Sequence, residues 1–214
     1  MKKLFFCLAS VALSIAAVGQ DTALVSKATA WVKPLSLNDT EKEVRLISVI
    51  ATHLTTITEW NNTHPAATVP AGINPATGQR LSDLDRQVIA NSAMPASVHQ
   101  NLMDGLRKDL TEAQVEQLLD KYTIGKVAFT MNGYHAIVPN MTPKEDSVIL
   151  VFMKQAREQA VDFKSMKQIS AIFEIYKTKS EQYLNANGRN WREMYRAYTD
   201  AIKAKKAAAA NTKQ

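Results

Sequence analysis

The side chains in this sequence that could do chemistry are aromatic rings close to amides, arginines and a histidine. Trp60 stands directly before Asn61 and Asn62, where a segment rich in proline and glycine begins. An aromatic ring can stack on the apolar face of a sugar ring, while amide and guanidinium groups bond its polar substituents. On this basis the candidate ligand-binding residues are Trp60, Asn61, Asn62, Arg80, Arg107, Tyr134 and His135.

These candidates predict a site for a glycan. The two aromatic residues would stack on sugar rings, and the asparagines and the histidine would bond hydroxyls. Arg80 or Arg107 would bind the carboxylate of an acidic, pectin-like sugar. We expect the site where the segment 63–80 meets residues 126–138.

A second aromatic set lies near the C-terminus, with Trp191, Tyr195 and Tyr198 at positions i, i+4 and i+7. This spacing places all three on one helix face. Such a stripe is more often packed in the core than open to a ligand, so we expect a core role for it.

No catalytic or metal signature accompanies these residues. The four histidines do not fall at a ligand spacing such as four apart on one helix. Glu158 and Asp162 are four apart, which is typical of a solvated helix face, and Asp83 and Asp85 suit a helix N-terminus. Acid–base chemistry instead needs two carboxylates across a cleft. We therefore predict no catalytic residue, no metal and no cofactor.

The net charge of +6 comes from the ends of the chain. Residues 20–202 carry 20 basic and 20 acidic side chains, while the segment from Lys203 onward has four lysines and no acid. Binding to nucleic acid needs a basic face on the folded part of a protein, so we predict no nucleic-acid partner. The tail, residues 204–214, is expected to be a fraying helix end or a disordered extension.

Residues 1–19 have the pattern of a secretory signal, with two lysines, an apolar run over residues 4–18 and small residues before Gln20. The run is too short and wrongly flanked for a membrane-spanning helix. We predict cleavage near Gly19, a periplasmic or extracellular location, and no stable membrane insertion after cleavage. The only cysteine, Cys7, lies in this segment, so the exported chain would form no disulfide.

Most of the remaining chain has helical periodicity. Four segments begin with a pattern that is typical of a capping box: Asn38 with Glu41, Thr111 with Gln114, Thr142 with Glu145, and Ser165 with Gln168. Apolar residues at helical spacing follow these starts and indicate a shared core. We predict a mainly α protein, in which residues 20–203 form a single domain, a bundle of six to seven helices.

Two segments break the helical pattern. Residues 126–138 have Asn132 and Gly133 between two apolar runs, which predicts a β-hairpin in which Met131 faces Tyr134. Gly125 is expected to end the preceding helix in a left-handed conformation. Residues 63–80 contain three prolines and two glycines without periodicity, which predicts a long loop.

Several segments resemble the DUF3826 family. They are residues 71–78 (AGINPATG), 105–111 (GLRKDLT), 122–127 (YTIGKV), 156–162 (AREQAVD) and 172–177 (IFEIYK). The family comprises exported proteins, chiefly of Bacteroidetes-type bacteria, with a sugar-binding description and no assigned catalytic residues. The resemblance therefore implies a partner class, a carbohydrate, and not a mechanism. With the residues above, it predicts an exported, non-catalytic protein that binds carbohydrate or assists polysaccharide utilisation.

Two alternatives remain open. The segment 110–114 (LTEAQ) matches the leucine-threonine-x-x-glutamine signature of small helical periplasmic chaperones of the Spy and CpxP type, although a capping box alone explains it. A hydrolase or lyase acting on polysaccharide is the other alternative. It would be favoured by two carboxylates facing each other across a cleft lined by Trp60 or Tyr134.

Overall fold

The structure of the protein is a computed structural model that describes residues 22–75 and 77–211. Within these residues the chain forms nine α-helices: α1 (Thr22–Val32), α2 (Thr40–Thr63), α3 (Asp83–Ser92), α4 (Ala96–Asp109), α5 (Glu112–Thr123), α6 (Lys126–Ile137), α7 (Pro143–Ala160), α8 (Met166–Ala186) and α9 (Trp191–Asn211). The mainly helical class is confirmed, but nine helices replace the expected six or seven. The segment interpreted as a secretory signal lies outside the described residues.

The helix starts follow from local capping chemistry. Thr111, Thr142 and Ser165 each accept a bond from the backbone N–H three residues later, and the side chain at that later position bonds back. These reciprocal bonds satisfy amides that would otherwise be unpaired and fix where α5, α7 and α8 begin. Helix α2 differs from expectation, because its cap is Asp39, which accepts from the Lys42 N–H, and not Asn38.

The core consists of two hydrophobic clusters. The first lies among α1, α2, α4 and α5 and includes the fully buried Leu46 and Leu118. The second lies among α6, α7 and α8 and includes Met153 and Phe173, with Trp191 of α9 packed against it. The two clusters are joined because α5 contacts both α6 and α7.

The hairpin predicted for residues 126–138 is wrong, since this segment is helix α6. Gly125 is left-handed as predicted, with φ 64°, but the residue that caps the end of α5 is Ile124, which is also left-handed, and Gly125 is the N-cap of α6. The side chains that α6 and its C-cap bury are Val127, Met131, Tyr134 and Val138. This spacing of three to four residues defines one helix face. Asn132 and Gly133 favour a turn, but each costs a helix only about 1 kcal/mol relative to alanine. Packing of the buried face of α6 against α7 outweighs this cost.

The segment between α2 and α3 is irregular, and contacts with α3 hold it. It contains one short 3-10 turn, Ala66–Thr68, and a turn closed by the bridge between Ile73 and Arg80. Arg86 donates to the Val69 carbonyl and Gln87 to the His64 carbonyl, each at 2.9 Å. These bonds replace backbone pairing that an irregular segment lacks.

Helix α9 ends the described part of the chain. It continues as far as Asn211 and so includes most of residues 204–214, which the sequence predicts to be a fraying helix end or a disordered extension. In the described ranges, no helix is both long and apolar enough to cross a membrane.

Candidate functional site

An open groove of about 630 Å³ lies between α6, α8 and α9. Six aromatic side chains from these three helices line it: Phe129, Tyr134, Phe173, Trp191, Tyr195 and Tyr198. Concave surfaces with aromatic walls and a few polar groups are the usual form of a small-molecule site. The groove is therefore the best candidate for a ligand site among the described residues.

The aromatic rings differ in how far they are open to solvent. Phe129 is 76% exposed and Tyr195 is 49% exposed, although both are large apolar surfaces. The Trp191 and Tyr195 rings are stacked at 5.9 Å with an interplanar angle of 28°. Two nearly parallel rings on α9 thus form a platform with one half-open face.

Tyr134 packs against the Trp191 ring of this platform. It is buried, its hydroxyl donates to the Lys177 carbonyl at 3.1 Å, and its ring lies 5.3 Å from that of Trp191. Burial raises the pKa of Tyr134 well above its usual value, so the hydroxyl stays neutral. Tyr134 therefore ties α6 to α8 and supports Trp191.

Arg189 fixes the position of α9 beside α6. From the turn between α8 and α9, its guanidinium donates to both carboxylate oxygens of Glu145, each at 2.8 Å. It also donates to the carbonyls of Pro139 and Asn140, at 3.1 and 3.0 Å. The bonds from Arg189 lower the pKa of Glu145 to about 2, so the pair remains ionised. One side chain thereby joins the turn before α9 to the turn after α6.

Helix α8 supplies the polar wall of the groove. Glu174, Lys177 and Glu181 line it and lie on one helix face. The Lys177 ammonium donates to both oxygens of Glu174, at 2.9 and 3.0 Å. The Glu181 carboxylate makes no hydrogen bond or ion pair with any residue that the structure describes. Burial, opposed by Lys177, raises the pKa of Glu181.

A second polar cluster lies where the two hydrophobic clusters meet. Asp162 is hydrogen-bonded to His53 of α2 at 3.0 Å and to His99 of α4 at 2.9 Å. The bond to Asp162 raises the pKa of His99. Burial opposes ionisation of Asp162, but the bonds from both histidines lower its pKa. This cluster connects the end of α7 to α2 and α4.

Two atoms beside this cluster are buried without a partner in the described structure, the Nδ1 of His53 and the hydroxyl of Tyr122. The two rings are in edge contact at 5.4 Å. Among the described residues, no group of three or more histidine and carboxylate side chains could hold a metal ion. The cluster therefore contributes to the packing of α2, α4 and α7, and the groove stays the better ligand site.

Comparison with protein families identifies the chain. Residues 22–204 match a family described as "Protein of unknown function (DUF3826)". The chain belongs to the DUF3826 family. The match includes α1 to α8 and the part of α9 that carries Trp191, Tyr195 and Tyr198. No curated protein matches this DUF3826 chain.

The structure of the DUF3826 protein distributes the seven predicted site residues over several surfaces. Trp60 stacks on His64 at 3.8 Å, and its indole N–H donates to the Ala90 carbonyl at 3.1 Å. Asn61 donates to Asn91 at 3.5 Å, and Asn62 accepts from Lys164 at 2.8 Å. These partners are all parts of the protein itself, and they occupy groups that were expected to bond a sugar.

The other predicted residues are equally dispersed. Arg80 is exposed beside its bridge to Ile73, and Arg107 donates to Glu112 at 3.3 Å. His135 is exposed on α6 and lies 2.5 Å from a carboxylate oxygen of Asp146. Of the seven, Tyr134 alone lines the groove, and there it is buried under Trp191.

The aromatic residues of the groove that the predicted set omits are Phe129, Phe173 and the three on α9. The α9 stripe was visible in the sequence, but its spacing could not distinguish a core face from a groove wall. The predicted hairpin places Phe129 on a strand. The helical spacing of Val127, Met131 and Tyr134 was the signal that places Phe129 on a different face of α6.

Proposed function

We propose that this DUF3826 protein is an exported, non-catalytic protein that binds carbohydrate in the groove between α6, α8 and α9. The observation that carries the proposal is the open aromatic surface of Phe129 and Tyr195 inside a concave site. The export part rests on the sequence pattern of residues 1–19.

The aromatic rings supply the stacking surface. Large exposed aromatic rings in a groove keep water on an apolar surface, which costs free energy unless a ligand covers it. The face of a pyranose ring carries C–H groups and suits such a surface better than a charged or fully polar ligand does. Tyr195 and Phe129 are open enough to accept it, while Trp191 and Tyr134 hold Tyr195 in place.

The α8 wall supplies the hydrogen-bonding groups. A sugar that stacks on α9 turns its edge, with the hydroxyls, toward the neighbouring helix. Glu174, Lys177 and Glu181 offer acceptors and a donor there, and the exposed amide of Asn132 offers both from α6. An apolar platform and a polar wall together match the two kinds of surface on a carbohydrate.

The same wall supports binding without catalysis. Glu174 and Glu181 both lie on α8, so they do not face each other across the groove. Glycoside hydrolysis needs a carboxyl group on each side of the scissile bond. The other alternative, a helical chaperone, rests on the 110–114 motif, where Thr111 and Gln114 form a capping box. That local role accounts for the motif.

The proposal is tested by titrating the protein with neutral and acidic hexasaccharides, with calorimetry and thermal shift as readouts. Tyr195→Ala and Phe129→Ala should each weaken binding about two- to tenfold, because a lost aromatic contact is worth about 0.5–1.5 kcal/mol. Ile175→Ala is the matched control, since Ile175 is 48% exposed on α8 and does not line the groove. Equal affinity in all variants would contradict the groove as the site.

A further inference from the structure

We infer that the groove selects a neutral, hydroxyl-rich glycan and disfavours one made of uronic acids, with the Glu181 carboxylate as the residue that sets this selectivity. The inference rests on the proposed function and adds the chemical class of the ligand. It reverses the sequence-based expectation that arginines would bind an acidic sugar.

The charges of the groove lead to this conclusion. Two lysines and two glutamates line it. The Lys177 charge is neutralised by Glu174 through two hydrogen bonds, and the Lys126 ammonium lies over the Phe173 ring at 5.4 Å. Lys177 therefore has an anionic partner inside the protein, and Lys126 has a ring contact. The Glu181 carboxylate is the one charged group of the lining that makes no hydrogen bond, close ion pair or ring contact among the described residues.

An unpartnered carboxylate distinguishes between sugar classes. Its two oxygens accept hydrogen bonds and donate none when ionised, so it suits the hydroxyl groups of a neutral sugar. The carboxylate of a uronic acid would instead meet the like charge of a partly buried side chain, where repulsion is stronger than in bulk solvent. No arginine lines the groove to compensate for that charge.

The position of Glu181 makes the contact feasible. It follows Lys177 by four residues and Glu174 by seven, so the three side chains form a row along the wall of the groove. The aromatic platform of α9 lies on another wall. A sugar whose face stacks on Tyr195 would direct its edge toward this row.

The experiment compares neutral hexasaccharides of glucose, xylose and mannose with hexagalacturonic acid, by calorimetry at one pH and salt concentration. The wild type should bind at least one neutral oligomer ten or more times more tightly than hexagalacturonic acid. Glu181→Gln keeps the shape and removes the charge, so it should weaken neutral binding three- to tenfold and reduce the discrimination to a few-fold.

Two controls separate the possible failures. Glu59→Gln removes an exposed carboxylate of α2, outside the groove lining, and should change neither affinity. Tight binding of hexagalacturonic acid that Tyr195→Ala weakens would keep the groove as a carbohydrate site and overturn the neutral class. Unchanged discrimination in Glu181→Gln would overturn the role of Glu181. No binding of any oligomer would overturn the proposed function and this inference together.

Discussion

The replacement of Gly133 by alanine distinguishes a helix from a hairpin at residues 126–138. In α6, a Cβ added at Gly133 meets nothing within 4 Å. Alanine is about 1 kcal/mol more favourable than glycine in a helix interior, so Gly133→Ala should stabilise the protein by about that amount. In an Asn-Gly hairpin turn the same position needs a positive φ, and alanine would destabilise by about 1 kcal/mol or more.

Gly105 provides the matched control on α4. Alanine brings the same gain in helix propensity there, but its Cβ would lie 2.7 and 2.8 Å from the two methyl carbons of Val49. Valine has little freedom to move them, since its rotamer is restricted. Overpacking of this kind costs about 1–3 kcal/mol, which exceeds the gain, so Gly105→Ala should destabilise the protein by up to about 2 kcal/mol.

Urea and thermal unfolding measure both changes. Gly133→Ala should raise Tm by about 2–4 °C, the shift expected per kcal/mol for a protein of this size. Gly105→Ala should lower it. A lower Tm for Gly133→Ala, with an unchanged slope of the unfolding free energy against urea concentration, would refute the assignment of residues 126–137 to a helix. It would also refute the groove, which α6 helps to form.

Three further predictions concern the contacts around the groove and the core. Glu145→Gln should lower the free energy of unfolding by about 1–2 kcal/mol at pH 7. A carboxylate with a lowered pKa, such as that of Glu145, adds stability above its unfolded pKa, and this stability is lost as pH falls. Urea unfolding from pH 7 to 2.5 should therefore show a weaker loss of stability toward acid pH in the variant than in the wild type. Wild-type Tm should be highest between about pH 4 and 6.5. Asp162, whose pKa is lowered, adds stability above about pH 4, and His99, whose pKa is raised, adds stability below about pH 6.5. Asp162→Asn should flatten both limbs of this thermal profile, and a profile identical to the wild type would contradict the ion pair. Tyr134→Phe should lose about 1 kcal/mol in urea unfolding through the bond to the Lys177 carbonyl, and no loss would contradict that bond.

Local chemistry made the helix starts predictable. The residues that form the caps of α5, α7 and α8 are close in sequence, so the pattern contains both partners. The same local reasoning gives the wrong result at Asn132 and Gly133. The free energy by which this dipeptide favours a turn is about as large as the stability that one packed side chain contributes. Burial of Val127, Met131 and Tyr134 against the second cluster determines the outcome, and that contact is long-range.

The groove depends on contacts that no local pattern contains. Arg189 reaches Glu145 and Asn140, more than 40 positions earlier, and this places α9 against α6. Only that arrangement brings Phe129 and Tyr195 to one surface. The sequence could therefore indicate aromatic residues suited to a sugar, but not which of them share a site.

The most direct test of the account is the affinity of the wild type, Tyr195→Ala and Trp60→Ala for one neutral hexasaccharide, measured by calorimetry. If the groove is the site, the wild type should bind, Tyr195→Ala should bind about two- to tenfold more weakly, and folded Trp60→Ala should bind as the wild type does. Weaker binding by Trp60→Ala together with unchanged binding by Tyr195→Ala would place the site on α2 and contradict the groove.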